Sequence, residues 1–289
     1  MNNKATEGIG LFVASLFVAT LVDAPAKYLM QQGLPLNTVV FFRYAIALAA
    51  LIGYFIWQRQ WPQRSQHITV NLFRGTLLTA STFVNFYAIS KLSLALVVSI
   101  DFAAPLISCA LAPFILGEHV GPRRWAAVLA GFVGVLIVMR PGTEGFHPAM
   151  LMALLNALII ALYQIYTRMA GKGDNPETGL VWVFAVGLAC STFALPAGWQ
   201  APILALWPWL VVMGLAGFAT HVIVSQALRL APATLLAPFF YTQIVWMTLS
   251  GIVLFGNWPD NQTLLGASII IASGIYVWHR ERVRAQALT

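Results

Sequence analysis

Charge is what this chain has least of. Only 9% of its 289 residues are Asp, Glu, Lys or Arg, where a soluble domain carries about a quarter. Water cannot be the solvent for most of such a surface. Cysteine is equally scarce. Cys109 and Cys190 both fall inside apolar runs, which reads as small core residues and excludes a disulfide framework. Clusters of His, Asp, Glu or Cys at chemical spacing are missing too. That speaks against an intramembrane enzyme and calls for no cofactor and no bound metal. Long polar stretches are absent, and corners of about a dozen residues are too short to hold a core of their own. The net charge of +7 sits in those corners, as membrane-flanking charge rather than a nucleic-acid surface. Nothing indicates a ring of subunits, so a channel is disfavoured and a monomer is expected.

What the chain has in excess is apolar sequence, 60% of the total. A bilayer core takes about 20 apolar residues in helical form. On that ruler ten spans are expected, near 8–28, 37–57, 71–90, 93–115, 122–139, 149–168, 179–198, 206–228, 233–255 and 263–279. The runs are too long for barrel strands and lack a period-two alternation. Proline and glycine punctuate the corners, as at Gly121-Pro122 and Pro141-Gly142. Pro25, Pro105, Pro113 and Pro238 lie inside spans instead. Each frees a carbonyl that must face protein or a wet cavity, or else marks a packing kink. The Ala24-Pro25-Ala26 triplet imitates a signal-peptidase site, but Asp23 and Lys27 straddle it and an uncleaved first span is expected.

The stretch Ser99–Arg140, with its buried carboxylate Asp101, is matched by the stretch ending at Arg280. Lys91 aligns with Arg229, Gly117 with Gly256, Gly134 with Gly274 and Arg140 with Arg280. Self-similarity at half the chain length inside hydrophobic sequence marks transporters built from repeats. Five spans per repeat is odd, so the halves are inverted: residues 1–140, a periplasmic hinge at 141–148, and residues 149–289 with a cytoplasmic tail. Twelve of the 16 Lys and Arg then fall on the side of the termini, against Lys27, Lys91 and Arg140 on the other with Arg43 just inside it. That bias puts both termini in the cytoplasm of a bacterial inner membrane.

Phe42-Arg43-Tyr44 in span two, Ala88 to Leu92 followed by small residues, Pro105 ahead of Glu118, the Leu116-Gly117-Glu118 corner, and Gly131, Gly134, Arg140 and Pro141 carry a resemblance over nearly the whole chain. It resembles the EamA family of the drug/metabolite transporter superfamily, and within it amino-acid exporters of the YddG type. Gly256-Asn257 departs from the pattern of the first half, leaving Glu118 without a counterpart; an acid just ahead of a helix start reads as structural. The resemblance implies an all-α membrane protein of ten transmembrane helices in two inverted five-helix repeats. It also implies alternating access around a central cavity lined by spans 1, 3, 4, 6, 8 and 9.

Polar intramembrane residues concentrate in those spans, and the candidate substrate contacts are Asp101, Tyr241, Asn85, Gln243, His221, Trp246, Tyr163 and Asn156. A charged Asp at mid-bilayer costs about 2.5–3.5 kcal/mol on insertion scales. Asp101, on one helical face with Pro105, Ser108 and Ala112, therefore contacts a substrate ammonium, carries a proton, or pairs with a base. Asp23 and Lys27 stand at i and i+4, as a local ion pair or, with Arg43, as a gate or carboxylate contact. His221 reads either as a neutral hydrogen-bonding group or as a substrate contact or proton relay. The expected substrate is a small metabolite, foremost a neutral or aromatic amino acid. It would be held by the polar groups with its side chain against residues such as Phe83, Phe239 and Trp246, and exported through the lipid bilayer. Import of a related metabolite and export of cationic drugs are the alternatives on the same fold.

Overall fold

Inside hydrocarbon every backbone polar group must be satisfied within the protein, and a chain without strand-like alternation meets that demand as helices. The computed structural model describes residues 3–59, 61–62, 65, 67–117, 120–170 and 176–287, so Glu118 and His119 lie outside the described residues. No strand occurs among them. The first half holds α1 (Asn3–Gln31), α2 (Leu36–Gln58), α3 (Ile68–Lys91), α4 (Leu94–Asp101), α5 (Ala104–Ile115) and α6 (Pro122–Met139). The second holds α7 (Ala149–Ala170), α8 (Pro176–Ala194), α9 (Trp207–Leu230), α10 (Ala233–Leu236), a 3-10 turn (Ala237–Thr242), α11 (Gln243–Phe255) and α12 (Asn261–Ala287). Two further short 3-10 turns flank the α8–α9 corner.

Among the described residues, eight helical segments are long and apolar enough to cross a membrane. The two expected spans outside that set are α3 and α12. Both are long enough, but α3 carries Asn71, Arg74, Ser81, Thr82 and Asn85, and α12 is flanked by Asn261, Gln262, His279 and Arg280, which dilutes their hydropathy. The surface turned to the surroundings is apolar, with Phe114, Leu129, Phe193 and Val253 exposed. Exposed Trp57 and Trp61 sit at the C-terminal end of α2, and Trp199 stacks on Phe42 at its other end. Tryptophan at both ends is the pattern of membrane–water interfaces.

Two rods are broken, within the expected spans 93–115 and 233–255 and near their inner prolines Pro105 and Pro238. The Ser93 hydroxyl caps α4 by accepting from the Leu96 N–H at 3.3 Å. The helix then stops at Asp101, because Pro105 has no N–H to offer the Asp101 carbonyl. Phe102 and Ala103 keep right-handed helical angles across the gap. Asp101 and Ser108 both meet α7: Asp101 accepts from the Asn156 amide, and Ser108 donates to the Ala161 carbonyl and to Gln164 at 3.3 Å each. In the second half, Pro238 lies in the 3-10 turn that separates α10 from α11. Pro25 and Pro113, by contrast, sit within continuous helices. The aligned glycines Gly117 and Gly256 follow the two broken rods with φ of 67° and 65°, left-handed values that favour glycine.

The helices pair across the halves: α1 with α9, α3 with α7, α3 with α8, α2 with α9, α5 with α7, α1 with α11, α2 with α8 and α6 with α12. Exchanging each first-half helix for its second-half counterpart turns these eight pairings into one another, while the pairs of α4 with α11 and α12 and of α5 with α12 are not mirrored in this way. The helices α6 and α12 approach closely. A Cβ on Gly134 would meet the Gly266 carbonyl oxygen at 2.9 Å, and one on Gly266 would meet the Gly134 carbonyl oxygen at 2.6 Å. Small residues that let backbones touch are how helices associate where lipid removes the hydrophobic drive. On the face of the protein where the hinge lies, Arg140 ends α6 and pairs with Asp260 ahead of α12, whose carboxylate also accepts from the Thr263 N–H at 2.7 Å. Burial alone would raise the Asp260 pKa, but the donors from Arg140 and Thr263 hold it below the usual carboxylate range.

Candidate functional site: a charged cavity between the halves

One cavity of about 390 Å³ opens between the two halves. Its wall comes from α1, α3, α4, α7, α9, the 3-10 turn and α11, with Arg43 added from α2. Most of the lining is apolar, including Phe12, Leu16, Phe86, Val98, Phe240 and Met247. Four titratable groups stand on it: Asp23, Arg43, Asp101 and His221.

Asp23 and Arg43 form its first polar cluster. The Asn85 amide donates to the Asp23 carboxylate at 2.9 Å. Arg43 stands on the same wall. Its guanidinium donates to the Thr82 hydroxyl and lies over the rings of Tyr44 and Phe86, 5.1 and 5.5 Å from their centroids. The Tyr44 hydroxyl in turn meets Thr82 Oγ1 at 2.8 Å. The guanidinium is thus placed by Thr82 and Phe86 of α3 together with Tyr44 of its own helix.

The second cluster belongs to Asp101. The Asn156 amide nitrogen donates to its carboxylate at 2.9 Å, and the Asn156 carbonyl oxygen accepts from the Ser81 hydroxyl at 2.6 Å. The Ser81 hydroxyl, which can donate or accept, holds the oxygen end of the amide, and the Asp101 carboxyl group takes its nitrogen end. His221 stands on the α9 wall with its ring 5.5 Å from Phe184.

The remaining expected residues divide. Asn85, Asn156 and Gln243 line the cavity with Asp23, Asp101, Arg43 and His221. Tyr241, Trp246 and Tyr163 do not. Tyr241 is buried against Phe102, with ring centroids 5.0 Å apart, and its hydroxyl fills the space beside Gly274. Trp246 packs edge-on against Phe17. The Tyr163 ring lies under the Arg74 guanidinium at 5.6 Å. Phe86 and Phe240 stand on the wall where Phe83 and Phe239 were expected.

Lys27 does not pair with Asp23. Its ammonium donates to the carbonyls of Ile89 and Leu92 at 2.7 and 2.6 Å and lies 5.4 Å from the Phe255 ring. At 4% exposure it ties α1 to the C-terminal end of α3 beside α11. A cation at a helix C-terminus is favoured by the unpaired carbonyls there. Helical spacing places it one turn from Asp23, but the two carbonyls it satisfies at the end of α3 are brought to it only in three dimensions.

Ser81 and Thr82 were overlooked. The signal was present: Leu78, Ser81, Thr82, Asn85, Phe86 and Ile89 repeat at helical spacing and form the α3 wall. Among the described residues no three His, Cys, Asp or Glu gather as metal ligands.

The EamA-like transporter family matches the chain twice, at residues 6–140 and 147–278. An S-adenosylmethionine uptake transporter of Rickettsia bellii is 28% identical over 278 residues, spanning 95% of this chain and 94% of its own. A riboflavin transporter of Vibrio cholerae is 27% identical over 92% of this chain and 91% of its own, and one of Rhizobium johnstonii is 24% identical over 98% and 94%. These names give no support to the finer likeness to amino-acid exporters. A solved structure titled only "Crystal structure of protein" superposes with a TM-score of 0.62 at 18% identity, over 95% of this chain and 96% of its own, and so shares the fold. The chain belongs to the EamA-like transporter family, as a multi-pass membrane transporter of small metabolites and not an enzyme.

Proposed function

We propose that this chain carries a small metabolite built on an α-amino acid, of the S-adenosylmethionine type, across a bacterial inner membrane by alternating access. The observation that carries the reading is the Asp23–Arg43 cluster on the wall of an otherwise apolar cavity. An amino-acid head offers an ammonium to Asp23 and a carboxylate to Arg43, and exchanges the bonds those groups now make with Asn85 and Thr82. A pocket mostly apolar with a few placed polar groups suits the remainder of such a molecule. One arginine against two aspartates disfavours nucleotides and phosphate esters, which call for clustered base. A lipophilic cation without a carboxylate leaves Arg43 unused.

Uptake is the direction proposed, in line with the name of the Rickettsia relative. Export of neutral amino acids such as phenylalanine is the second reading, favoured by Phe12, Phe86 and Phe240 on the same wall. The self-exchanging set of helix pairs supports ten spans in two inverted halves, 1–140 and 149–289, joined by a periplasmic hinge at 141–148 with both termini cytoplasmic. In proteoliposomes, exchange of labelled S-adenosylmethionine against the same unlabelled compound tests the reading, with riboflavin and phenylalanine as parallel arms. Exchange of phenylalanine alone replaces the first reading by the second, and exchange of riboflavin alone removes both.

A further inference from the structure

The cavity wall holds two carboxyl groups, Asp23 and Asp101, and one arginine, Arg43. Among the described residues no cation lies within ion-pair reach of Asp101. The polar partner it does have is the Asn156 amide, whose carbonyl oxygen is held by Ser81, and that bond occupies one carboxylate oxygen.

The backbone adds to this. Asp101 is the last residue of α4, where the Phe102 and Ala103 N–H groups take the Val98 and Ile100 carbonyls and the helix end carries partial negative charge. Pro105 withholds the N–H that would have taken the Asp101 carbonyl. Broken membrane helices whose C-terminal ends meet a cavity are places where transporters hold cations. Arg43 of α2 and His221 of α9 share the wall, and its remaining polar groups are neutral: Thr220 on α9, Ser81, Thr82 and Asn85 on α3, Asn156 and Gln164 on α7, and Gln243 on α11.

We infer that Asp101 and the end of α4 form a cation subsite that reads a fixed positive centre in the body of the substrate, such as a sulfonium. The inference rests on the proposed amino-acid-type cargo and deepens it. Asp23 and Arg43 hold the zwitterionic head, and Asp101 selects molecules whose remainder is positively charged over neutral isosteres. A sulfonium has no N–H to donate, so recognition there is by charge, and a carboxylate with one oxygen open is suited to it.

The test compares two competitors of labelled S-adenosylmethionine exchange in proteoliposomes: the unlabelled sulfonium compound and its demethylated thioether, which differs by one methyl and the charge. The wild-type protein is expected to prefer the sulfonium at least about tenfold, as a close unscreened charge pair allows. Asp101→Asn is expected to bring the two within about twofold of each other, while Asp101→Glu retains the preference. Absence of any exchange by the wild-type protein overturns the proposed function, and this inference with it. Exchange without discrimination, or discrimination that survives in Asp101→Asn, overturns the inference alone. Should Asp101→Asn not elute as a folded protein, Ser81→Ala reads the same point, because Asn156 then loses the bond that aims its amide at Asp101. The preference is then expected to shift, and an unchanged preference overturns the subsite.

Discussion

At the scale of single residues, Lys27 and Asp23 separate local spacing from tertiary placement. An i, i+4 acid and base on one helix invite an ion pair, yet the lysine reaches the two carbonyls at the end of α3 while the aspartate takes an amide from Asn85. Lys27→Met therefore leaves two buried carbonyls without their donor and is expected to destabilise the protein by about 1–3 kcal/mol. Because Lys27 and Asp23 do not pair, Lys27→Met and Asp23→Asn are expected to add, with a coupling below about 0.5 kcal/mol. Thermal unfolding of the single and double variants in detergent checks this, and a large coupling would restore the pair. The sequence made Asp23, Asp101, Asn85, Asn156 and His221 legible as wall residues, because polar groups inside apolar runs must face protein or water. Tyr241 and Trp246 were misjudged for the same reason in reverse. An aromatic with a polar tip was taken to want a cavity, but Tyr241 found its room beside a glycine of α12.

At the scale of elements, the long uniform helices were readable and the breaks were not. Pro105 and Pro238 marked the places, but a proline inside an apolar run can kink a helix or end it. Which of these occurs depends on the neighbours, and here Phe102 is buried where α4 stops and packs against Phe240 and Tyr241 of the opposite broken rod. The α6–α12 contact depends on glycine backbone against glycine backbone. Gly134→Leu is expected to cost about 3 kcal/mol by overpacking. Gly53→Leu on α2, where a Cβ would meet nothing within 4 Å, is expected to be near neutral; melting of the two variants side by side tests the contrast.

The Arg140–Asp260 bridge fastens the same two helices at the hinge face. Donors hold the Asp260 carboxyl below its ordinary range, so its contribution to stability is present in full above the unfolded value near pH 4 and fades as pH falls through the lower folded value. Wild type and Asp260→Asn are expected to differ in melting temperature at pH 7 and to converge toward pH 2. A difference that persists in acid would assign the effect to packing instead.

At the scale of the whole molecule, the twofold plan was legible from four aligned landmarks and the uneven spread of Lys and Arg, since both reflect constraints written along the chain. The cargo was not. Substrate identity depends on how side chains from seven elements converge, and Arg43 enters the cavity from a helix assigned to packing. Topology is tested with single cysteines at Thr143 and Thr289 in a background lacking Cys109 and Cys190. A membrane-impermeant thiol reagent on intact cells is expected to label the first and spare the second, and labelling at Thr289 would reverse the orientation.

The central claim is that the cavity between the halves is the path of the substrate. Gly217 of α9 lines it, and a Cβ there would meet no atom within 4 Å. Gly217→Leu therefore fills open space without displacing a neighbour, and leucine is the better helix former by about 1 kcal/mol. The account predicts that this variant folds and melts at or above the wild-type temperature while losing substrate exchange at least about tenfold, as occlusion of a pocket that buries its ligand requires. A stable Gly217→Leu protein that exchanges substrate at the wild-type rate would contradict it.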